Sequence, residues 1–194
     1  MRRTDKEITA RSVMEGILQE AIVCRVAFCD GDEPYIVPMN FGYEGNCLYF
    51  HSAPEGRKLE IIKKNPRACF EVDARAQLVP GDKPCSWSMR YFSVIGVGVM
   101  SIQTTAAEKR HGLNVIMGKF EGKSDYPFAD GALKDLVILK LKIESMTGKK
   151  SRYASWPKAE PSDETQEVAI DDHTIVRRGR SSRSRSGSRS HKRT

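Results

Sequence analysis

Val137, Leu139, Leu141 and Ile143 alternate with Ile138, Lys140, Lys142 and Glu144. Side chains of a strand point alternately to its two faces, so this run must bury one face and leave the other largely polar. The turn spacing along the chain favours an antiparallel sheet over a βαβ stack. The rest of the chain offers partners for this strand. Residues 21–29 are rich in β-formers, and Asp30-Gly31-Asp32 marks a turn into a second strand at 34–43. Pro38 lacks an N–H and predicts an edge or a bulge within that strand. Glu44-Gly45-Asn46 turns into a third strand at 47–52, a fourth runs from about 67 to 73, and a long fifth runs from Trp87 to Gln103. Gly96 and Gly98 inside the fifth predict a bend or a close backbone approach. Residues 75–86, with Pro80-Gly81-Asp82 and Pro84, read as a loop.

Helices are few and short. Val13, Met14, Ile17 and Leu18 give residues 9–20 one apolar helical face, with Thr9 as the N-cap candidate. Residues 55–64 and 105–117 read as two more. The expected fold is therefore mainly β, of the α+β kind. It is a six-stranded antiparallel sheet closed into a small barrel, with short flanking helices. Glycine-rich dinucleotide and P-loop motifs are absent from the sequence. So is any Ser/His/Asp or paired-carboxylate constellation.

The stretch most suggestive of chemistry is residues 47–58, Cys-Leu-Tyr-Phe-His-Ser-Ala-Pro-Glu-Gly-Arg-Lys. A strand ends at His51 and Ser52, a tight turn follows, and Arg57 and Lys58 open a helix. A helix N-terminus presents free N–H groups and the positive end of a dipole, which makes it an anion site in waiting. Cations are disfavoured in a first helical turn. Arg57 and Lys58 are therefore either indifferent surface chemistry or a phosphate site with Ser52 as a hydroxyl donor.

The order and spacing of several motifs resemble the pyridoxamine 5′-phosphate oxidase-like split-barrel superfamily, on the branch of the 5-nitroimidazole resistance (Nim) proteins. The residues that carry the resemblance are Pro38-Met39-Asn40-Phe41-Gly42-Tyr43, then Leu48 to Ala53 with Glu55-Gly56-Arg57-Lys58, then Asn65-Pro66-Arg67. Ser93-Val94-Ile95-Gly96 with Gly98, and Thr147-Gly148-Lys149 after the last strand, complete it over about residues 4–156. The resemblance implies a homodimeric FMN-binding split barrel. It implies phosphate contacts from Ser52, Arg57 and Lys58, a flavin ring beside Met39, Asn40, Phe41 and His51, and a further contact from Ser93. It also implies an oxidoreductase that passes electrons from the flavin to a small acceptor such as a nitro compound, with His51 as the candidate proton donor. Haem or a deazaflavin are alternatives to FMN, and a non-enzymatic flavin or haem carrier is the alternative function. The substrate-phosphate Arg/His set of true pyridoxamine phosphate oxidases is not evident near the C-terminus. Tyr153 and Trp156 are candidates to cross to a partner subunit and cover its flavin.

The net charge of +7 belongs to the end of the chain. Residues 177–194 carry eight Lys/Arg and no acid, so the preceding residues sum to −1. The expected division is a flavin-binding domain over 1–156 and a tail over 157–194, acidic and then Arg/Ser-rich. The tail has too few apolar residues to offset the entropy of ordering, so disorder is predicted there. It could serve as a weak tether to RNA or another polyanion, which keeps an interaction-adaptor role open. Five scattered cysteines without a CxxC pair point to no metal site and a reducing compartment. With no run near ~20 apolar residues, the expectation is a cytoplasmic protein with no membrane contact.

Overall fold

The computed structural model describes residues 3–157; the expectations made for the tail fall outside them. Eight strands and three α-helices follow in order: β1 (Glu7–Ile8), α1 (Arg11–Glu20), β2 (Val23–Asp30), β3 (Glu33–Asn40), β4 (Gly42–Glu44), β5 (Cys47–Ser52), α2 (Arg57–Lys64), β6 (Arg67–Val79), β7 (Ser88–Gln103), α3 (Ala106–Glu121) and β8 (Val137–Ser151). All pairings are antiparallel, and the sheet runs β3-β2-β6-β7-β8-β5-β4, with β1 added to β8.

The two ends of this sheet, β3 and β4, are consecutive in the chain and joined through Phe41. The sheet thus curls into a barrel whose ends are tied covalently, while no strand pairing links β3 to β5. That unpaired seam is the split. Pro38 sits beside it on an edge strand paired only with β2, as its missing N–H requires.

The core fills the barrel with alternating residues of every long strand. Phe28, Phe41, Phe50, Phe70 and Phe92 are its largest members, and Leu59, Ile61 and Ile62 of α2 join them. Gly96 and Gly98 allow close approach. A Cβ at Gly96 would fall 2.4 Å from the Phe70 ring, and one at Gly98 would fall 2.1 Å from the Lys142 carbonyl oxygen, where the β7–β8 register shifts.

Four expectations change. The strand count is eight because β1 adds a short edge and because Phe41 interrupts the expected second strand, leaving β4 separate. Residues 75–79 are strand, not loop: β6 continues past a bulge between Ala74 and Gln77, with Arg75 at φ 54°, and pairs Leu78 with Met89. Polar and Pro-rich composition signals a loop, and here only residues 80–87 between the two strands obey it. β8 runs through Thr147-Gly148-Lys149, because β7 and β1 both pair with that segment. Helix α1 begins after Ala10 and has no side-chain cap.

Tyr153 and Trp156 pack on their own chain. Tyr153 stacks on Phe92 with centroids 4.5 Å apart, and Trp156 meets the same ring edge-on at 4.8 Å. Trp156 also needs the bare Gly16, where a Cβ would come within 2.9 Å of its ring nitrogen. The segment expected to cross to a partner thus also packs on Phe92 and Gly16 of its own chain.

Candidate functional site

The seam between β3 and β5 has two measurable ends. At one, the β4–β5 register of Gly42 with Tyr49 continues to Phe41 beside Phe50, ring centroids 6.2 Å apart. At the other, the Arg57 guanidinium lies 4.8 Å above the Tyr35 ring. Between them, residues 36–40 form one lip and residues 51–56 the other. Asn40 ends β3 just before Phe41, and His51 follows Phe50 on β5. Both are exposed, and Asn40 points away from the core.

The Arg57 end of the seam is built from α2 and the β2–β3 turn. Gly56 precedes α2 at φ 123°, a backbone conformation that side chains rarely adopt, and a Cβ there would meet nothing within 4 Å. No side chain caps the helix, and its first bonded N–H is that of Leu59, which donates to the Gly56 carbonyl oxygen at 2.9 Å, so the N–H groups of Arg57 and Lys58 precede the helical hydrogen bonds. The donor set fits a phosphate monoester: free helix-end N–H groups, a planar guanidinium and an ammonium. In this state Arg57 is held by carboxylates, at 2.9 Å from Glu33 and 3.7 Å from Asp30. Lys64 approaches the same Asp30 at 3.9 Å. Ser52 is buried, and its hydroxyl donates to the Ala53 carbonyl oxygen at 2.9 Å.

The remaining candidates divide by strand parity. Met39 is half-buried against the core, and Phe41 is wholly buried, so at both positions the backbone, not the side chain, borders the lip. Ser93 is remote. It lies on the outer face of β7, in a hollow of about 430 Å³ lined by Glu71, Asp73, Met89, Tyr91, Ile95 and Lys149 among others. The rows of the sheet give its distance from the seam. Pro38 pairs with Arg25, Arg25 with Glu71, and Glu71 with Ile95. Ser93 and Asn40 sit two residues along from Ile95 and Pro38, so the same three strand spacings part them, about 14 Å. The structure thus leaves Asn40 and His51 exposed, engages Ser52 with Ala53 and Arg57 with Glu33, Asp30 and Tyr35, and sets Ser93 on the outer face of β7.

Sequence reasoning missed Tyr35, Asp30 and Glu33 as partners of Arg57. The Asp30-Gly31-Asp32 turn was visible, but nothing local says that it folds against a helix 24 residues further on. Arg25 bridges Glu71 at 3.1 Å and Asp73 at 2.6 Å beside the Ser93 hollow. Burial, and then Asp73, push the Glu71 carboxyl above its ordinary range, with Arg25 opposing.

An antiparallel barrel left open along one seam defines the class, a split barrel. Comparison with known proteins agrees. The model of the pyridoxamine 5′-phosphate oxidase family matches residues 10–150. A candidate 5-nitroimidazole antibiotic resistance protein of Bacteroides thetaiotaomicron shares 36% sequence identity, with 74% of this chain and 86% of that one covered, at a TM-score of 0.65. The flavocytochrome Anf3 of Azotobacter vinelandii shares the fold at a TM-score of 0.67 and 16% identity, with 91% of this chain and 92% of that one covered. An uncharacterised protein of Rhizobium meliloti is 32% identical over 65 residues, 34% of this chain; the match spans 42% of that relative's length. The chain belongs to the pyridoxamine 5′-phosphate oxidase-like superfamily, within its 5-nitroimidazole-resistance-like branch.

Proposed function

We propose that this protein binds FMN along the β3–β5 seam and is an oxidoreductase that reduces a small acceptor, with nitro compounds as the first class to test. The observation that carries the reading is the uncapped start of α2, where two cations and free N–H groups meet at the end of an open seam. The 36% identity to a candidate 5-nitroimidazole resistance protein supports the acceptor class.

In this reading Arg57, Lys58 and the first N–H groups of α2 hold the phosphate, and Arg57 exchanges Glu33 for it. The Asn40 amide and the peptide edge of β3 orient the ring. The His51 imidazole, exposed on the opposite lip, serves as proton donor to an acceptor reduced there. Bound FMN supplies the hydride or single-electron chemistry, so the chain itself needs no catalytic nucleophile.

A homodimer belongs to the same reading. Ser93 stands about 14 Å from Asn40 measured along the sheet and on the outer face of β7, so in this reading the β7 face of a second copy brings a Ser93 to the flavin ring. Ile36 and Ile95, 62% and 50% exposed on that outer face, supply apolar area for the contact. A monomer by sedimentation of the FMN-bound protein at micromolar concentration would remove Ser93 from the site.

Titration with FMN, FAD and haem tests the cofactor. FMN binding, with weaker binding of FAD, is expected; haem binding without flavin binding would replace the reading with a haem carrier centred on His51. Among the described residues no helix is long and apolar enough to cross a membrane, and Cys24, Cys29, Cys47, Cys69 and Cys85 are all free thiols. Both support a cytoplasmic setting. A polyanion contact through residues 177–194 is the remaining proposal, supported by their eight cations without an acid. Removing those residues should abolish RNA binding and leave FMN affinity unchanged.

A further inference from the structure

We propose that α3 clamps the junction between β3 and β4, and that Lys119 is a positioning residue for the flavin-facing end of β3. The inference rests on the FMN reading of the seam and adds a part that lies behind it.

Two observations meet at this junction. The Lys119 ammonium sits 3.3 Å from the centroid of the Phe41 ring. It also donates to the Leu18 carbonyl oxygen at 2.9 Å and to that of Ala21. Helix α1 ends at an extended Ala21 with no glycine cap, so its last carbonyls need donors from elsewhere. An ammonium from α3 supplies them. One residue after Phe41, the backbone of α3 lies directly on Gly42. A Cβ there would fall 2.5 Å from the Val115 carbonyl oxygen and 2.8 Å from the Ile116 nitrogen. Phe41 and Gly42 are thus held from one side by the same helix.

The charge is an expensive way to hold them. The groups facing the ammonium are the two carbonyls, the Phe41 ring and the Cys24 thiol of β2; no carboxylate pairs with it among the described residues. Glu44, on the same hollow, is engaged by His111 at 2.9 Å. Burial accordingly pushes the Lys119 ammonium down to about 8. An apolar side chain of similar length would avoid that cost but could neither cap α1 nor grip the ring face. What the cation fixes is Phe41, and Phe41 carries Asn40, the residue that begins the lip.

Lys119→Met and Lys119→Arg separate positioning from mere stability. Amide exchange in the flavin-free chain reads the clamp, and FMN affinity with the visible circular dichroism of the bound flavin reads its consequence. The Met variant should still melt cooperatively. Its amides at residues 40–43 should exchange faster, FMN should bind about tenfold more weakly, and the flavin dichroism should change; Arg should restore all three. Gly42→Ala, which presses on α3 directly, should change the dichroism the same way. Unchanged exchange at 40–43 in Lys119→Met overturns the proposal. So does faster exchange with wild-type FMN affinity and dichroism, since nothing the flavin senses would then be positioned. If the wild-type chain binds no FMN, the parent reading fails, and the exchange measurement still decides the clamp.

Discussion

Helices α2 and α3 begin in opposite ways. Thr105 caps α3 in a closed box: its Oγ1 accepts from the Glu108 N–H at 3.3 Å, and the Glu108 carboxylate accepts from the Thr105 N–H at 3.1 Å and its hydroxyl at 2.7 Å. Glu108 also favours the dipole, and the Thr105 donors hold its carboxyl below the ordinary range. The helix ends on Gly122 in the left-handed conformation. Helix α2 has no side-chain cap and opens on Arg57 and Lys58, with Glu60 in the same first turn but paired to Lys63 at 3.1 Å. One helix satisfies its own N-terminus and serves as scaffold. The other starts uncapped at the end of an open seam and forgoes that local stability, the pattern the FMN proposal uses.

The largest expected effect separates the two roles within α2 itself. Ile61 is 1% exposed inside the barrel end. Ile61→Ala should cost about 2–5 kcal/mol of stability by denaturant unfolding, whereas Lys58→Ala should leave the midpoint almost unmoved. Equal losses would mean that the first turn is structural too.

A pH series probes the far end of α3. The Lys119 ammonium is lowered from 10.5 to about 8 in the folded chain. Stability tied to its neutral form is therefore full above the unfolded value and lost as pH falls through about 8. Burial pushes the Cys24 thiol up to about 12 from 9.0, so its contribution is present below 9.0 and lost as pH rises through about 12. Relative to Lys119→Met, wild-type stability should rise between pH 8 and 10.5; relative to Cys24→Ala it should fall between pH 9 and 12. A flat difference in the first comparison would mean that the amine is solvated.

Much of this arrangement was legible beforehand, and the limits were physical. The alternation at 137–144, the glycines of β7 and the strand–turn–helix at 47–58 are local signals, and each element formed where its signal stood. Parity along β3 was also available. Met39 and Phe41 share the inward face and Asn40 the outward one, so a period of two already separates them. The lost features depend on distant partners. Strand β6 runs to Val79 because β7 extends beside it, and Arg57 meets Glu33 because the barrel curls. The separation of Ser93 from Asn40 follows from strand order, which no single stretch encodes.

Thr105→Ala should cost about 1 kcal/mol of stability while leaving FMN affinity unchanged, the converse of the pattern expected at the start of α2. Loss of FMN affinity in this variant would tie the two helix starts together. A smaller effect of opposite sign is expected from Glu33→Gln. The Arg57–Glu33 pair is exposed and worth little to the fold, yet it competes with a phosphate for the same guanidinium. FMN affinity should rise by a few-fold in titration, and a fall would make Glu33 part of the binding surface.

The most direct measurement compares FMN with riboflavin, which lacks the phosphate, in the wild type and in Arg57→Ala. If the uncapped helix start holds the phosphate, the wild type prefers FMN, and Arg57→Ala removes about 1.5–3 kcal/mol of that preference while riboflavin affinity stays as it was. Equal affinity for both flavins in the wild type, or an FMN preference untouched by Arg57→Ala, would contradict the account.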